Sequence, residues 1–313
     1  MRAAEHAAFA SGVQVEALMN KAGVGVAQAV TQFFPKPGRC IVFAGKGHNA
    51  GDALFAAQCL ERHGWKIEVR LAFKEADCSD LTRKKLGDLY GSSPTILGTV
   101  PSKTANTDLV ASLIELSPGD TDQISATQDA TFTEACSNVA APLVILDGLL
   151  GVGAKPTLRE PIGAACRAIN QLRTTNGAYV FAVDLPTGLD TDSGKADRDC
   201  VVADFTLTIG YAKPGLVADG AVNYVGRIEI VPLAELRPPK TKPKEIIASP
   251  TAFRALLPRR KYSSYKNQFG RVGVVAGSKG FVGAALMASQ GALRAGAGLV
   301  EVFVPEEIYE IVA

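Results

Sequence analysis

The sequence lacks several features that would place it in a specialised class of protein. It has no apolar run of about 18 residues, so we expect no membrane-spanning helix. Glu5 and His6 lie where a signal peptide would need its apolar stretch, which favours a cytoplasmic location. The formal net charge is only +2, so we expect neither nucleic acid nor an acidic membrane surface as a partner.

Cysteine is too widely spread to form a metal-binding motif. Zinc motifs usually place two cysteines within about four residues of each other, and no pair in this sequence is that close. Several of the cysteines occur in apolar strand or helix patterns, so we expect reduced thiols in the core. They are Cys40, Cys59, Cys78, Cys136, Cys166 and Cys200.

What the sequence does contain is an alternation of strand and helix patterns. Hydrophobic residues make up 47% of the 313 residues, which is enough for substantial cores, and the length predicts two domains. Alternation predicts an α/β fold, Rossmann-like, with three layers and a mainly parallel sheet. The predicted strands are 40–44, 67–73, 143–147, 178–184, 203–209 and 227–231, and the predicted helices are 13–33, 53–63, 79–90 and 161–173, with weaker helix patterns at 105–116 and 127–138.

A second unit is predicted near the end of the chain. We expect a first domain over 1–235, a linker over 236–262 that is rich in proline and basic residues, and a second unit over 263–313. The second unit contains a strand pattern at 271–276, a helix pattern at 283–295 and a strand pattern at 299–304. One βαβ unit cannot bury both faces of its strands, so we expect these strands to be partly uncovered.

Polar residues follow three of the predicted strands. Asn49 lies in the glycine loop after the first strand, and Asp147 and Asp184 close two later strands. The carboxyl ends of parallel strands are where ligands bind in open α/β sheets, so these residues predict a site. A carboxylate that ends an apolar strand is costly to bury unless it meets a partner, a cation or a substrate hydroxyl.

The glycine loop itself, Gly45-Lys-Gly-His-Asn-Ala-Gly51, is one residue longer than the dehydrogenase fingerprint. Its backbone N–H groups and the helix that follows suit a pyrophosphate, although a tight turn without a ligand is also possible. Asp52 can cap the helix or contact a ligand, and His48 can contact a ligand or lie exposed.

A cation site is a further possibility, because Asn49, Asp147 and Thr187 offer a carbonyl, a carboxylate and a hydroxyl. Such hard oxygen donors suit an alkali or alkaline-earth cation and not zinc. The alternative is that these groups only hydrogen-bond the loop backbone.

Several motifs together resemble one family. Residues 1 to about 235 resemble the NAD(P)HX epimerases, which interconvert the R and S forms of NAD(P)H hydrated at nicotinamide C6. The resemblance rests on Leu18-Met-Asn-Lys-Ala-Gly23, the glycine loop, Asp147-Gly-Leu-Leu-Gly-Val-Gly153, Ala182-Val-Asp-Leu-Pro-Thr-Gly-Leu-Asp190 and Thr206-Leu-Thr-Ile-Gly-Tyr-Ala-Lys-Pro-Gly215. The stretch from Tyr265 to Val300 resembles the opening of the ADP-dependent NAD(P)HX dehydratases, which have a ribokinase-like fold, and the two are often fused in bacteria.

The resemblance implies a role for each motif residue. Asp184 would contact the hydrated ring as the general acid–base group, and Asn49, Asp147 and Thr187 would hold a potassium ion. ADP or ATP would serve the dehydratase part only, and we expect a homo-oligomer. The residues implied to contact the dinucleotide are His48, Asn49, Ala50, Gly51, Asp52, Gly151, Val152, Gly153, Ala154, Lys155, Pro156 and Thr157.

The chain departs from the family in the glycine loop. His48, Ala50 and Ala53 replace an asparagine and two glycines, and a glycine in place of Ala50 could serve a positive φ or a close backbone approach. Two other readings stay open: a noncatalytic dinucleotide-binding or scaffold module of the same fold, and an ordinary NAD-dependent dehydrogenase. We also expect these 313 residues alone to lack dehydratase activity.

Overall fold

The computed structural model describes residues 2–90, 95–99, 141–153, 157–237, 253–254, 256–257 and 259–313. The chain divides into two units, Met1–Lys244 and Glu245–Ala313. Among the helices of the described residues, none is both long and apolar enough to cross a membrane. The predicted linker at 236–262 lies largely outside the described residues, so its boundaries stay a prediction.

Within the described residues, the first unit is built on a seven-stranded sheet with the order β3-β2-β1-β4-β5-β6-β7, in which every neighbouring pair is parallel. The order reverses between β1 and β4, where Phe43 pairs with Asp147 and Ala44 with Gly148. Such a reversal opens a crevice at the carboxyl ends of the two strands. The strands are β1 (Arg39–Ala44), β2 (Lys66–Leu71), β3 (Thr95–Thr99), β4 (Leu143–Gly148), β5 (Tyr179–Val183), β6 (Phe205–Ile209) and β7 (Arg227–Val231).

Helices cover both faces of this sheet. Strand β1 shows why, because Val42 and Ala44 join the core cluster on one face while Ile41 and Phe43 join the cluster on the other. A strand buried on both faces reads as a continuous apolar run, as this one does. The predicted three-layer α/β fold is confirmed. The helices in the described part of this unit are α1 (Arg2–Ala10), α2 (Val15–Phe33), α3 (His48–Arg62), α4 (Asp80–Tyr90) and α5 (Ile162–Asn176).

One predicted helix start is wrong, and one strand was not predicted. Helix α3 begins at His48, five residues before the predicted start at Ala53, so the second half of the glycine loop is helical. The small residues there allow close packing on α2, since a Cβ on Gly51 would overlap the side chain of Met19. Strand β3 was also missed, because it is a five-residue element in a Ser/Thr-rich stretch. The weak helix patterns at 105–116 and 127–138 lie outside the described residues.

The second unit contains a parallel pair, β8 (Arg271–Val275) and β9 (Leu299–Phe303), joined by α6 (Val282–Ala295). A helical turn, Tyr309–Val312, follows. Val275 is 85% exposed and Phe303 is 55% exposed, so the expectation that these strands are partly uncovered is confirmed.

The cysteines in the described residues carry free thiols. Four are buried and one is partly buried, which confirms the prediction of reduced core thiols for this set. They are Cys40, Cys59, Cys78, Cys166 and Cys200, and Cys136 lies outside the described residues.

Candidate functional site

A cavity of about 470 Å³ opens at the carboxyl ends of β1, β4 and β5, in the size range of small-molecule sites. Its wall combines the loops that follow these strands with α1 and the end of β6. The lining residues are Glu5, Lys46, Gly47, His48, Asn49, Asp52, Phe73, Leu149, Leu150, Gly151, Val152, Asp184 and Ile209.

The glycine loop meets the loop after β4 at close range. The Gly45 N–H donates to the Gly148 carbonyl at 3.2 Å, and a Cβ on Gly45 would overlap the carbonyl oxygen of Leu149. Only glycine therefore fits at this position. The turn delivers the N-terminus of α3 to the cavity, where free backbone N–H groups favour an anionic ligand.

Asp52 is not the N-cap of α3, so the first of its two predicted roles, capping the helix, is excluded. The N-cap of α3 is Gly47, and Asp52 lies in the second turn with its side chain on the cavity. Loss of hydration, followed by the nearby carboxylates of Asp184 and Glu5, raises the pKa of Asp52 well above its usual range. The cavity is therefore crowded with acidic groups from three different elements.

Asp147 is completely buried and tied to Thr187. Its Oδ1 accepts the Thr187 hydroxyl at 2.7 Å and the Leu149 N–H at 3.2 Å, and its Oδ2 accepts the Thr187 N–H at 2.8 Å. Burial raises the pKa of Asp147 to about 6, even though these hydrogen bonds favour the charged form. The pair joins the end of β4 to the turn after β5.

The backbone of Leu150 links Asn49 to the Asp147–Thr187 pair. Its Nδ2 donates to the Leu150 carbonyl at 3.0 Å, and the Leu150 N–H donates to the Thr187 hydroxyl at 3.2 Å. The three predicted cation ligands are all buried, and hydrogen bonds through Leu150 link them. Their donors are an amide oxygen, a carboxylate and a hydroxyl, and such a set of oxygen ligands fits a hard cation. In the described ranges, no group of three or more His, Cys, Asp or Glu is placed to hold a metal.

Asp184 follows β5 directly and has φ +72°, an unusual conformation for a residue other than glycine. Its backbone N–H donates to the Leu207 carbonyl at 2.9 Å, and its Oδ1 accepts the Ile209 N–H at 3.0 Å. Oδ1 also accepts the ammonium of Lys213. Asp184 is thus clamped between the ends of β5 and β6, with a buried lysine as its charge partner.

The predicted dinucleotide contacts divide into four groups. Asp184 and five of the other residues implied to contact the dinucleotide line the cavity. Ala50 and Gly51 are buried within α3 and do not line it. Gly153 and Thr157 do not line it either, and the Thr157 N–H donates to Asp197 at 3.0 Å. Residues 154–156 lie outside the described residues. The five are His48, Asn49, Asp52, Gly151 and Val152.

Residues 15–215 match the family described as YjeF-related protein N-terminus. The chain belongs to this family. Residues 272–313 match a second family, described as NAD(P)H-hydrate dehydratase. The family order along the chain is therefore the order expected from the motifs.

Relatives that match most of this chain are named bifunctional repair enzymes. A bifunctional NAD(P)H-hydrate repair enzyme Nnr from Pyrobaculum aerophilum is 33% identical over 94% of this chain and 52% of the relative. One of the same name from Moorella thermoacetica is 30% identical over 95% of this chain and 51% of the relative. The chain spans about half the length of these curated relatives.

A solved structure supports the fold. The yeast protein YNL200c aligns with a TM-score of 0.50 at 21% identity, over 70% of this chain and 79% of its own. At this identity the likeness concerns the fold alone.

Several cavity residues, and Lys213 behind Asp184, were not predicted from the sequence. Lys46 lies inside the glycine loop, and its ammonium is 5.0 Å from the ring centre of Phe73. Lys213 belongs to the Thr206–Gly215 motif, so the motif itself was a signal, although it indicated no role. Glu5 had no signal, because nothing local shows that α1 packs beside the sheet edge. The others are Gly47, Phe73, Leu149, Leu150 and Ile209.

Proposed function

We propose that the first unit catalyses the interconversion of R- and S-NAD(P)HX at nicotinamide C6. The observation that carries the proposal is Asp184, a carboxylate fixed at the end of a central strand, facing a cavity that adjoins a helix N-terminus. Epimerising a carbon that bears a hydroxyl requires proton movement, and a carboxylate within hydrogen-bond reach can supply it. The membership of residues 15–215 in the family supports the same reading.

The dinucleotide would lie across the glycine loop. Its pyrophosphate would meet the N–H groups at the start of α3, near Gly47 and His48. The hydrated nicotinamide would then reach Asp184, which would move a proton at the C6 hydroxyl. The flanking loop at 149–153 would close the other side of the ligand.

We propose a potassium ion beside this ring, held by Asn49, Asp147 and Thr187. The Asn49 amide nitrogen already donates to Leu150, which leaves its Oδ1 as the atom for the cation. When bound, the ion would supply positive charge next to the buried Asp147 carboxylate and hold the three loops in register. The buried set of oxygen donors supports this proposal. The test compares the thermal unfolding midpoint in potassium chloride with that in choline chloride of equal ionic strength. Equal midpoints would contradict the potassium site.

We propose that the native protein also dehydrates S-NAD(P)HX, with ADP or ATP used by that part alone. The match of residues 272–313 to the dehydratase family and the bifunctional relatives support this. The substrate is a soluble dinucleotide, so we place the protein in the cytoplasm, and by the family resemblance we propose a homo-oligomer.

The decisive test follows the ratio of R- to S-NADHX by chromatography after adding the chain to an unequal mixture. We expect equilibration faster than in a protein-free blank, and no acceleration with Asp184→Asn. A chain that binds the dinucleotide but leaves the ratio at the blank rate would instead be a noncatalytic binding module. Hydride exchange with an oxidisable substrate would indicate a dehydrogenase.

A further inference from the structure

Lys213 is a buried cation to which the proposed reaction gives no role. Its side chain is 5% exposed, and it lies just after the turn that follows β6. The ammonium donates to Asp184 Oδ1, to the Thr208 hydroxyl at 3.0 Å and to the Ile209 carbonyl at 2.9 Å. An ammonium has three N–H donors, so each has an acceptor. Lys213 is therefore held rigidly, with its charge against Asp184.

The hydrogen bonds of Asp184 are unequally shared between its two oxygens. Oδ1 accepts the Ile209 N–H at 3.0 Å as well as the Lys213 ammonium. Among the described residues, none donates a hydrogen bond to Oδ2, although Asp184 lines the cavity. One oxygen is thus anchored, and the other is left for a ligand.

Lys213 also balances the charge of the cavity. Asp184 shares the cavity with Asp52 from α3 and Glu5 from α1, and both are acidic. Lys46 is the cation on the cavity wall, but it lies on the glycine loop against Phe73. Lys213 is the cation that contacts Asp184 directly, so its removal would leave a buried carboxylate beside two others.

We propose that Lys213 is the positioning residue for Asp184, fixing Oδ1 so that Oδ2 can take the proton of the C6 hydroxyl. The O–H electron pair then forms an aldehyde C=O as the C6–N1 bond breaks and its electron pair goes to N1. When N1 adds back to the other face of the carbonyl, the proton returns to the oxygen. The inference rests on the proposed epimerase function. It gives the Thr206–Gly215 motif a role in the proton transfer, through Asp184.

The first test compares Lys213→Met and Lys213→Gln with the wild type over a range of pH. We expect kcat to fall by about 10²-fold with little change in KM, because misplacing a reacting group by about 1 Å has that effect. Removing a neighbouring positive charge should move the acidic limb of the kcat profile upward by about one to three pH units. Gln keeps a hydrogen-bond donor for Asp184 without the charge, so it tests the charge even if the Met variant does not fold.

Two controls separate positioning from stability. Lys85→Met removes another buried lysine, whose ammonium lies 2.7 Å from a Glu16 carboxylate oxygen. Lys85 does not line the cavity. It should lower the unfolding temperature without moving the acidic limb. Lys213→Arg keeps a positive charge, so it should return the limb toward the wild-type position and restore part of kcat.

A double-mutant cycle completes the experiment. If Lys213 acts through Asp184, adding Lys213→Met to Asp184→Asn should change the rate by much less than it does in the wild type. An unmoved acidic limb in both Lys213 variants, or full additivity with Asp184→Asn, would overturn the inference. A wild-type chain that fails to epimerise would instead refute the proposed function itself, and the two failures are thereby distinguished.

Discussion

Replacing Thr187 by valine should destabilise the first unit through two hydrogen bonds at once. The hydroxyl is completely buried, donates to Asp147 Oδ1 at 2.7 Å and accepts the Leu150 N–H at 3.2 Å. Valine keeps the shape but leaves both partners short of a hydrogen bond. Each loss of this kind costs about 1–3 kcal/mol, and the Leu150 N–H is only partly buried, so we expect about 2–3 kcal/mol in all.

The measurement is thermal unfolding followed by far-UV circular dichroism in a potassium-free choline buffer, so that a bound cation does not contribute. For a unit of this size the expected loss corresponds to a midpoint lowered by roughly 4–12 °C. Thr187→Ser is the matched control, because it keeps the hydroxyl and removes only a methyl group. It should lie much closer to the wild type.

The reasoning would be refuted by a valine variant as stable as the wild type. That result would show that the Thr187 hydroxyl contributes nothing to the link between β4 and the turn after β5. A serine variant as unstable as the valine variant would assign the effect to the lost methyl group and not to the hydrogen bonds.

Three other expectations follow from the site. Asp184→Asn should lower epimerisation by about 10²- to 10⁴-fold while dinucleotide binding by calorimetry stays largely intact, since an amide keeps the shape but takes no proton; wild-type turnover would remove Asp184 from the mechanism. Ala50→Gly should lower the free energy of unfolding by about 1 kcal/mol in urea, because Ala50 lies inside α3 and is not among the residues with positive φ; a gain in stability would show that glycine is preferred there. Asp52 has a raised pKa in the folded state, so it weakens the fold as pH rises above its ordinary value of 3.8; Asp52→Asn should therefore gain stability relative to the wild type between pH 4 and pH 8, and a constant difference would contradict this.

The sheet was predictable because its strands carry their own signal. The run Ile41 to Ala44 is apolar on both faces, and a glycine turn follows it at once, which is the pattern of a buried parallel strand. The same logic placed Asn49, Asp147 and Asp184 at one edge, since parallel strands end together. The start of α3 was not predictable in this way, because its first turns contain glycine and small residues that look like loop.

The charge partner of Asp184 could not be derived from spacing. Lys213 is 29 residues away along the chain, and its contact depends on the path of the turn after β6. The unusual φ of Asp184 is likewise set by the clamp between β5 and β6 and not by its own side chain. Glu5 reaches the cavity only through the packing of α1. Each of these features is tertiary, so strand and helix patterns carry no trace of it.

The overlap that any side chain at Gly45 would make with Leu149 has a consequence for engineering this protein. The glycine loop and the loop after β4 share one surface, so neither can be exchanged on its own. A relative's glycine loop could be grafted to alter the preference between NADHX and NADPHX. Its backbone would be shaped to pack against that relative's own loop after β4 and not against Leu149 of this chain. Transplanting both loops as a matched pair is the design that respects this contact.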